Sequence, residues 1–448
     1  MKQIVSKYSY LFKSSDNKYL IYNSQTNSFI EVYKDLFDSL KNLKRYPNTD
    51  LLGIDEESIV LLKKCKILVR QEEDDSYFYK EKLTSYMRFF SQKVLSLTLV
   101  PTTGCNFDCS YCFESSKKNK NMSPEIIEGL FSFIKDHEHA EILNLTWYGG
   151  EPLMVFKTIK KILCKIKTKT NLEIKNHAII TNGYYFNQEI CDFFKEYPLN
   201  FIQITLDGNK ESHDQKRKMK GTGSPTYEKI IQNIDLITKE LPDTRLAIRV
   251  NVDKQNKDSY YGVYTDLKQL LDNKNVDIYP GFIRIDDETH KKLGCESLLS
   301  KDISNLYFDL SDKLDINIRF YPKLIRKGCT ANSINAYIIG PSGEIYKCWN
   351  DVSNPDKIVG YINQKNITNI DLLSKYLVGS SCFEDKKCKD CFFLPICSGG
   401  CAWYRTKNFF EKGEYNLCSL YKDKTTFNKC LEFFYKNGHD KKYQLNFS

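Results

Sequence analysis

The chain has 448 residues, a length that predicts about three domains. Its composition, with 41% hydrophobic and 27% charged residues, is that of an ordinary folded protein, and its formal net charge of +9 is spread widely. We find neither an uncharged apolar run of about 18 residues nor a signal-peptide pattern, so we expect a cytoplasmic protein without a membrane span. The absence of a basic block with interleaved aromatic residues argues against nucleic-acid binding.

Cysteine is the residue type that gives the most information about the class of function. The chain has 16 cysteines, and most of them are clustered. Grouped cysteines in a cytosolic protein indicate metal or redox chemistry rather than a disulfide framework. Four cysteines stand singly within apolar runs, where we expect small buried hydrophobic residues: Cys65, Cys164, Cys191 and Cys430.

The N-terminal region, up to about residue 90, has a pattern of its own. Residues 18–32 predict a hairpin, Tyr33–Leu43 and Glu56–Lys64 predict helices, and residues 66–70 predict a short strand. The acidic run at 72–75 predicts the start of a solvated linker.

From residue 94 onward, apolar β-branched runs alternate with helical patterns. Six such repeats predict an α/β fold with a parallel sheet, as a partial barrel or an open sheet, and place reactive residues at the carboxyl ends of the strands. The predicted strands are 94–100, 142–147, 177–181, 201–206, 245–252 and 276–283. The predicted helices are one capped by Ser123, then Leu153–Lys167, Asn187–Glu196, Tyr227–Lys239 and Tyr260–Leu271.

The first cysteine motif, Cys105-Asn-Phe-Asp-Cys109-Ser-Tyr-Cys112, comes directly after the first of these strands. Three thiolates in one short loop can hold three corners of a [4Fe–4S] cube and leave the fourth iron without a nearby protein ligand. S-adenosylmethionine (SAM) can chelate that iron, and an electron from the cluster then breaks its sulfonium C–S bond. A zinc knuckle is the alternative, which the position after the first of six βα units disfavours.

This spacing resembles the signature of the radical SAM superfamily, and the resemblance implies further contacts to SAM. Tyr111 resembles the aromatic residue that packs on the adenine, and Gly149-Gly150-Glu151-Pro152 resembles the motif that contacts the amino group. A structural ion pair is an equal alternative for one of the implied contacts, Arg249. The other contacts that the resemblance implies are Asn182, Thr205 (where the family usually has serine) and Arg217.

Seven cysteines in the C-terminal region resemble the SPASM domain, which carries auxiliary [4Fe–4S] clusters. The resemblance implies an outer cluster held by Cys388, Cys391, Cys397 and Cys418, and an inner cluster held by Cys329, Cys348 and Cys401. The fourth ligand of the inner cluster is either a spare cysteine, Cys295 or Cys382, or absent, and we favour an open iron that a substrate thiolate could bind. A pair of zinc sites is the alternative.

The order of hairpin, helices and strand in the N-terminal region resembles the winged-helix-like element that binds leader peptides in such maturases, where the peptide adds a strand to the hairpin edge. The alternative is that this region is a structural cap on the barrel without a binding role. The predicted domains are therefore a recognition domain (1–88), a radical SAM core of partial (β/α)6 barrel type (94–310) and a Cys-rich SPASM domain (320–435).

The function that these resemblances imply is maturation of a ribosomally made precursor peptide that carries a leader. Three [4Fe–4S] clusters and SAM would be the cofactors, and flavodoxin or ferredoxin would donate electrons. The enzyme would form a 5′-deoxyadenosyl radical and introduce a thioether or carbon–carbon cross-link. The alternatives are a sulfatase-maturing enzyme that forms formylglycine and, from another class, a zinc-stabilised binding module.

Overall fold

A computed structural model describes residues 3–47, 53–109, 111–112, 119–271, 276–282, 300–314, 321–326, 328–364 and 367–437. The chain divides into two compact units. The first unit comprises 1–89, 300–332 and 375–448, and the second unit comprises 90–299 and 333–374.

Strands and helices are numbered along the chain. The strands are β1 (Gln3–Val5), β2 (Ser9–Lys13), β3 (Tyr19–Asn23), β4 (Ser28–Val32), β5 (Leu68–Arg70), β6 (Val94–Leu99), β7 (Phe107–Cys109), β8 (Ile142–Trp147), β9 (Glu173–Thr181), β10 (Phe201–Leu206), β11 (Arg217–Met219), β12 (Arg245–Val252), β13 (Val276–Phe282), β14 (Ala336–Ile339), β15 (Glu344–Tyr346) and β16 (Gly360–Tyr361). The helices are α1 (Lys34–Arg45), α2 (Glu56–Lys64), α3 (Gln71–Phe89), α4 (Pro124–Lys135), α5 (Phe156–Lys169), α6 (Gln188–Glu196), α7 (Lys210–Lys216), α8 (Tyr227–Glu240), α9 (Tyr260–Leu270), α10 (Ser300–Leu314), α11 (Ile370–Ser374), α12 (Lys386–Lys389), α13 (Leu394–Cys397), α14 (Ala402–Phe410) and α15 (Lys424–Asn437).

A nine-stranded sheet forms the centre of the second unit, in the order β13-β12-β10-β9-β8-β6-β14-β15-β16. Its strands β6, β8, β9, β10, β12 and β13 are parallel neighbours in chain order, which confirms the predicted α/β fold and its parallel sheet. Runs rich in apolar and β-branched residues made these strands recognisable, because parallel strands are covered by helices. Beyond β6 the sheet continues through β14, which is parallel, and then through β15 and β16, which are antiparallel. These three short strands were not predicted.

The helices of the second unit begin where the sequence places their caps. Ser123 accepts a hydrogen bond from the backbone N–H of Ile126 at the start of α4, and Asn187 accepts one from Ile190 at the start of α6. The predicted helix 153–167 is instead a 3₁₀ turn over Pro152–Val155 followed by α5. Within the part of the chain that the structure describes, no helix combines the length and apolarity that a membrane crossing requires.

The first unit contains the predicted N-terminal elements. Strands β2, β3 and β4 form an antiparallel meander, and β1 pairs antiparallel with β5. The predicted hairpin, both helices and the short strand are therefore confirmed as elements. Their hydrophobic core contains Ile21, Phe37, Leu40, Leu62 and Ile67.

The prediction of a solvated linker at 72–75 was wrong. These residues lie in α3, and Asp74 is only 3% exposed. Its carboxylate accepts hydrogen bonds from Ser6 Oγ at 2.6 Å and from the backbone N–H of Lys7 at 2.9 Å. A buried carboxylate needs such donors, and local charge density gave no sign that distant residues supply them.

A second core of the first unit joins residues from both ends of the chain. Leu20 and Tyr22 of the meander pack with Ile396, Phe427 and Leu431. The predicted bounds 1–88, 94–310 and 320–435 differ from the compact units, because the C-terminal segment shares this core and because 333–374 belongs to the sheet unit. The functional roles given to those domains stay predictions.

Three of the four single cysteines, Cys65, Cys191 and Cys430, are buried as expected. Cys164 is exposed, so the prediction for it was wrong. Helix α5 buries Ile162, Leu163 and Ile166 on one face, and Cys164 lies off that face. The apolar run around it is amphipathic at helical spacing rather than buried throughout.

A buried histidine gives the second unit a defined pH dependence. Trp147 Nε1 can only donate, and it lies 2.8 Å from His177 Nε2, so His177 is neutral and donates from Nδ1 to the carbonyl of Pro198 at 3.0 Å. Burial lowers the pKa of His177 from 6.5 to about 4.

We therefore expect the protein to lose stability as the pH falls from about 6.5 towards 4. Below pH 6.5, His177 is protonated in the unfolded chain but stays neutral in the folded chain. The free energy of unfolding therefore falls by up to about 1.4 kcal/mol per pH unit. Anaerobic urea unfolding at pH 7 and pH 5 measures this loss, and His177→Gln should reduce it. The matched control His139→Gln, at an exposed residue, should leave it unchanged. Equal pH dependence in wild type and His177→Gln would contradict the assignment.

Candidate functional site

The first cysteine motif follows the carboxyl end of β6, as predicted. Strand β7 carries the second cysteine and pairs antiparallel with β11, so that Cys109 lies opposite Arg217. The Arg217 side chain is 8% exposed, and its guanidinium lies 5.6 Å from the ring centroid of Phe107. This pairing brings a buried cation to the cysteine loop.

Tyr111 connects the cysteine loop to the ends of two parallel strands. Its hydroxyl accepts hydrogen bonds from Arg217 Nη1 at 3.0 Å and from Asn251 Nδ2 at 3.1 Å, and it donates to Asp207 Oδ2. Burial raises the pKa of Tyr111 well above its usual value. The neutral phenol therefore sits between a buried carboxylate and a buried guanidinium, at the carboxyl edge of the sheet.

The backbone around Asp207 is held by a neutral histidine. His213 Nδ1 accepts from the N–H of Asp207 at 3.3 Å, and its Nε2 donates to Thr226 Oγ1 at 3.1 Å, because that hydroxyl donates its own proton to the carbonyl of Arg217. Burial lowers the pKa of His213 to about 2. The imidazole therefore adds no positive charge beside Asp207.

Three buried polar atoms around the motif have no hydrogen-bond partner. They are Asn106 Nδ2, Asp207 Oδ1 and Arg217 Nε, and the described residues contain only one other such atom, Tyr8 Oη. Buried polar atoms are nearly always bonded, so two donors and an acceptor left free in one place indicate a polar ligand. The amino-acid end of SAM carries both an ammonium and a carboxylate, and these residues fit it.

The Gly149-Gly150 pair fits against the cysteine loop. A Cβ on Gly149, whose φ is +124°, would lie 2.4 Å from the carbonyl oxygen of Thr102, and one on Gly150 would lie 2.1 Å from that of Gly104. The N–H of Gly150 donates to Thr102 O at 3.2 Å, and the N–H of Glu151 donates to Gly104 O at 2.8 Å. The glycines therefore allow direct backbone bonding between this loop and the end of β8. Their contact with SAM stays a prediction.

Gly150→Ala should separate these two loops. The added methyl would overlap backbone atoms that cannot rotate away, so we expect a loss of about 1–3 kcal/mol in unfolding free energy and a fall in SAM cleavage. The matched control is Gly262→Ala in α9, where a Cβ meets nothing within 4 Å. That change should stabilise the protein by roughly 0.5–1 kcal/mol, because alanine favours helix. Equal behaviour of the two variants in urea unfolding would contradict this packing.

Glu151 and Asn182 join the ends of β8 and β9. Glu151 is fully buried, and its Oε1 accepts from Leu153 N at 3.0 Å and Thr181 Oγ1 at 2.8 Å, while Oε2 accepts from Asn182 N at 2.7 Å. Asn182 Nδ2 donates to Asn106 Oδ1 at 2.8 Å. The observed role of Glu151 is to fix this edge, and its predicted contact with the SAM amino group stays a prediction.

Thr205 and Arg249 are neighbours across β10 and β12, where they are paired residues. Arg249 Nε donates to Asn251 Oδ1 at 3.0 Å. Its side chain covers Gly281, where an added Cβ would lie 2.7 Å from Arg249 Cγ. The predicted SAM contacts of both residues remain predictions, and both lie on strands of the edge that carries the site.

The thiols of the first motif are suited to binding a metal rather than to reacting as free thiolates. Burial raises the pKa of Cys105 to about 12 and that of Cys109 to about 11. Without a positively charged partner, these thiols stay protonated. An iron ion is such a partner, because it stabilises the thiolates to which it binds. The N–H of Phe107 points at Cys105 Sγ at 3.4 Å, which favours the thiolate once it forms. The donor set fits an iron–sulfur cluster.

Residues 99–267, which contain the cysteine motif and most of this site, match the sequence model of the Radical SAM superfamily. The chain therefore contains a radical SAM domain over these residues. Such a domain implies a [4Fe–4S] cluster and SAM.

Two curated relatives extend the similarity beyond the radical SAM domain. The radical SAM cyclopropyl synthase TigE of Paramaledivibacter caminithermalis is 23% identical over 466 residues, which cover 94% of each chain. A cysteine-type anaerobic sulfatase-maturating enzyme of Clostridium novyi (strain NT) is 27% identical over 344 residues, which cover 71% of this chain and 90% of the relative. This radical SAM enzyme is therefore related to both kinds of maturase.

Solved structures share the fold. Streptococcus suis SuiB bound to S-adenosylmethionine superposes with a TM-score of 0.53 at 14% identity, over 93% of this chain and 99% of SuiB. The enzyme anSMEcpe with bound AdoMet superposes with a TM-score of 0.58 at 21% identity, over 76% of this chain and 97% of that enzyme. The SuiB fold thus corresponds to nearly the whole of this radical SAM protein.

The four cysteines predicted for the outer cluster line one cavity of about 420 Å³ in the first unit of the radical SAM protein. We call this the outer cavity, and its cysteines are Cys388, Cys391, Cys397 and Cys418. The spare cysteine Cys382 is buried against Gly399, whose added Cβ would lie 2.1 Å from Cys382 Cβ. The four cysteines that the SPASM resemblance groups thus lie around one space, and their joint role as cluster ligands stays a prediction.

The cysteines predicted for the inner cluster are placed on different elements. Cys401 immediately precedes α14, and Cys329 precedes a turn over Thr330–Asn332 that packs on α14. Cys348 is buried in the second unit and follows β15. The joint ligand set stays a prediction, and Cys295 lies outside the described residues. No group of three or more His, Cys, Asp or Glu side chains in the described ranges is arranged to hold a single metal ion.

Sequence reasoning missed several side chains of the site. Asn251 lies two residues after Arg249, a spacing that places both on one face of β12, and this was an available signal. Asn106 follows a cysteine without any distinguishing pattern. Asp207 directly follows the strand run 201–206, a position that core packing or capping could also explain. The pairing of β7 with β11 depends on a contact between distant segments, which spacing does not encode.

Proposed function

We propose that this radical SAM enzyme matures a ribosomally made precursor peptide by introducing a thioether or carbon–carbon cross-link. The observation that carries the proposal is the extent of the shared fold. SuiB, which has been determined with its precursor peptide SuiA, corresponds to 93% of this chain, whereas anSMEcpe corresponds to 76%. TigE aligns over 94% of each chain, and as a named cyclopropyl synthase it favours a carbon–carbon bond among the two products.

In this proposal Cys105, Cys109 and Cys112 hold the cluster that binds SAM. When bound, such a cluster would supply an electron for reductive cleavage of the sulfonium C–S bond of SAM, the source of the 5′-deoxyadenosyl radical. The chain's own residues bind and orient SAM. Arg217 Nε is free to donate to its carboxylate, and Asp207 Oδ1 is free to accept from a donor of the ligand.

The auxiliary sites belong to the same proposal. The cysteines of the outer cavity would hold one cluster, and Cys329, Cys348 and Cys401 would hold an inner cluster with an iron open to a substrate thiolate. An auxiliary cluster would accept the electron left on the substrate when the new bond closes, and flavodoxin or ferredoxin would return electrons to the enzyme. The N-terminal meander β2–β4 would bind the leader along an edge strand.

Sulfatase maturation is the second candidate, favoured by the identity of 27% to the Clostridium novyi enzyme. Its product is a formylglycine aldehyde made from cysteine or serine. Because serine oxidation also removes two hydrogens, mass alone does not separate the candidates. Reaction with a hydrazide probe does, because only the aldehyde is labelled.

The test is co-expression with a short peptide encoded beside the enzyme, followed by mass spectrometry. We expect the peptide to lose two hydrogens without labelling by the hydrazide. A core peptide without its leader should stay unmodified while uncoupled 5′-deoxyadenosine still forms. We remove the leader from the peptide rather than residues 1–88 from the enzyme. Deleting residues 1–88 would remove Leu20 and Tyr22 from the hydrophobic core that they share with Phe427. Hydrazide labelling, or modification that ignores the leader, would overturn the proposal.

A further inference from the structure

Two cations donate hydrogen bonds to sulfur atoms in the outer cavity. Arg405 Nη2 lies 3.1 Å from Cys388 Sγ, and Lys422 Nζ lies 3.2 Å from Cys418 Sγ. Sulfur forms hydrogen bonds at longer distances than oxygen, so both contacts are close. They differ in their surroundings, because Lys422 is exposed whereas Arg405 is only 3% exposed.

The buried guanidinium of Arg405 is held by hydrogen bonds at two of its nitrogen atoms. Its Nε donates to the carbonyl of Gly399 at 2.6 Å, and its Nη1 donates to Asp385 Oδ2 at 3.1 Å. Gly399 adopts φ +75°, and a Cβ there would lie 2.1 Å from Cys382 Cβ and 3.1 Å from Arg405 Nη2, so a larger residue would be strained in this turn. These contacts leave Nη2 directed at Cys388 Sγ. The donor is fixed before any cluster binds.

A fixed cation at a cluster sulfur has a predictable electrostatic effect. Hydrogen bonds to the sulfurs, net charge and solvent exposure set the reduction potential of an iron–sulfur cluster. Reduction adds one negative charge to a cube that thiolates already make negative. A buried cation beside a sulfur therefore stabilises the reduced form more than the oxidised form, and low solvent exposure keeps the interaction strong.

We propose that Arg405 raises the reduction potential of the outer cluster through its N–H···S hydrogen bond to Cys388, and that the carboxylate of Asp385 moderates this effect. The inference rests on the proposed outer cluster at Cys388, Cys391, Cys397 and Cys418. Arg405 acts through Cys388 and is therefore a positioning residue. Asp385 both orients the guanidinium and lies 3.8 Å from Cys388 Sγ, so its negative charge acts in the opposite direction.

The test is an anaerobic redox titration of the full-length, iron-loaded protein, followed by electron paramagnetic resonance. The outer cluster is identified as the signal that Cys391→Ala removes. In Arg405→Met, the ratio of reduced to oxidised outer cluster at the wild-type midpoint should fall at least tenfold, which is 59 mV for a one-electron couple. Asp385→Asn should raise that ratio, because it keeps the hydrogen-bond acceptor and removes the charge. Disturbed folding alone would not move the two variants in opposite directions.

A matched control separates this hydrogen bond from general charge in the cavity. Lys387 also lines the outer cavity but is exposed, so Lys387→Met should change the ratio less than twofold. Arg405→Lys, which keeps the charge but not the fork, should fall between wild type and Arg405→Met.

Iron and sulfide counts distinguish the ways in which the inference can fail. A wild-type protein without the outer cluster overturns the proposed assignment and the inference together. If wild type, Arg405→Met and Asp385→Asn all carry their full iron and sulfide and have equal midpoint potentials for the outer cluster, the inference alone is overturned. Should Arg405→Met fail to load, Asp385→Asn decides, and the absence of an upward shift there overturns the inference.

Discussion

Replacing Cys105, Cys109 and Cys112 together with alanine should abolish formation of 5′-deoxyadenosine and lower the iron content by about four atoms per chain. The three thiols lie in or beside one loop at the carboxyl edge of the sheet, and two of them are buried enough to stay protonated without a metal. Under the proposed function, their loss removes the cluster that would deliver the electron to SAM. Anaerobic incubation with SAM and dithionite, followed by chromatography, measures the nucleoside.

Cys164→Ala is the matched control for this experiment, because Cys164 is an exposed thiol on α5 and belongs to neither cysteine group. It should retain both the iron and the activity. The triple variant should also keep its fold, since these cysteines follow β6 rather than form its core. Substantial 5′-deoxyadenosine from the triple variant would show that the electron reaches SAM from elsewhere.

Arg217→Met should cost about 3–5 kcal/mol of stability, because it leaves the buried carboxylate of Asp207 without its nearby cation. The same change removes the guanidinium Nε that is free to bind a SAM carboxylate. We therefore also expect at least a tenfold fall in SAM turnover at low SAM concentration. Urea unfolding and an activity titration in SAM measure the two effects separately.

The double variant Asp207→Asn/Arg217→Met tests the electrostatic reason for that loss. Without either charge, the stability cost should be smaller than the sum of the single variants, because no unpaired charge stays buried. Activity should stay low, since the guanidinium and the negative charge of Asp207, both proposed to bind SAM, are gone. Lys195→Met is the control, because Lys195 forms an exposed pair with Glu240 and should change neither quantity measurably. Additive costs in the double variant would contradict the coupling.

The sequence alone was sufficient to predict the parallel strands of the second unit, and the reason is physical. Parallel strands are covered by helices, so runs such as 201–206 and 245–252 are rich in buried apolar and β-branched residues and are easy to recognise. The cysteine motif and the Gly149-Gly150 pair each follow a strand, and adjacent parallel strands bring them to one edge. Their proximity could therefore be predicted, although the partner of the glycines is the backbone of the cysteine loop.

Features that depend on distant pairing could not be predicted from local pattern. Strand β7 has only three residues, and its partner β11 follows a different strand of the sheet, so nothing local places Arg217 opposite Cys109. The same holds for Asp74, whose charge suggested solvent but whose donors come from Ser6 and Lys7. Arg405 carried no signal at all, because an arginine four residues after Cys401 resembles any helical surface residue.

The central claim is that SAM binds directly to the iron that Cys105, Cys109 and Cys112 leave open. Electron–nuclear double resonance on the reduced enzyme with SAM labelled by ¹⁵N in its amino group and ¹⁷O in its carboxylate measures this contact most directly. We expect hyperfine coupling of both labels to the cluster, lost in the triple cysteine variant. Uncoupled labels in an enzyme that carries its full complement of iron would contradict the claim.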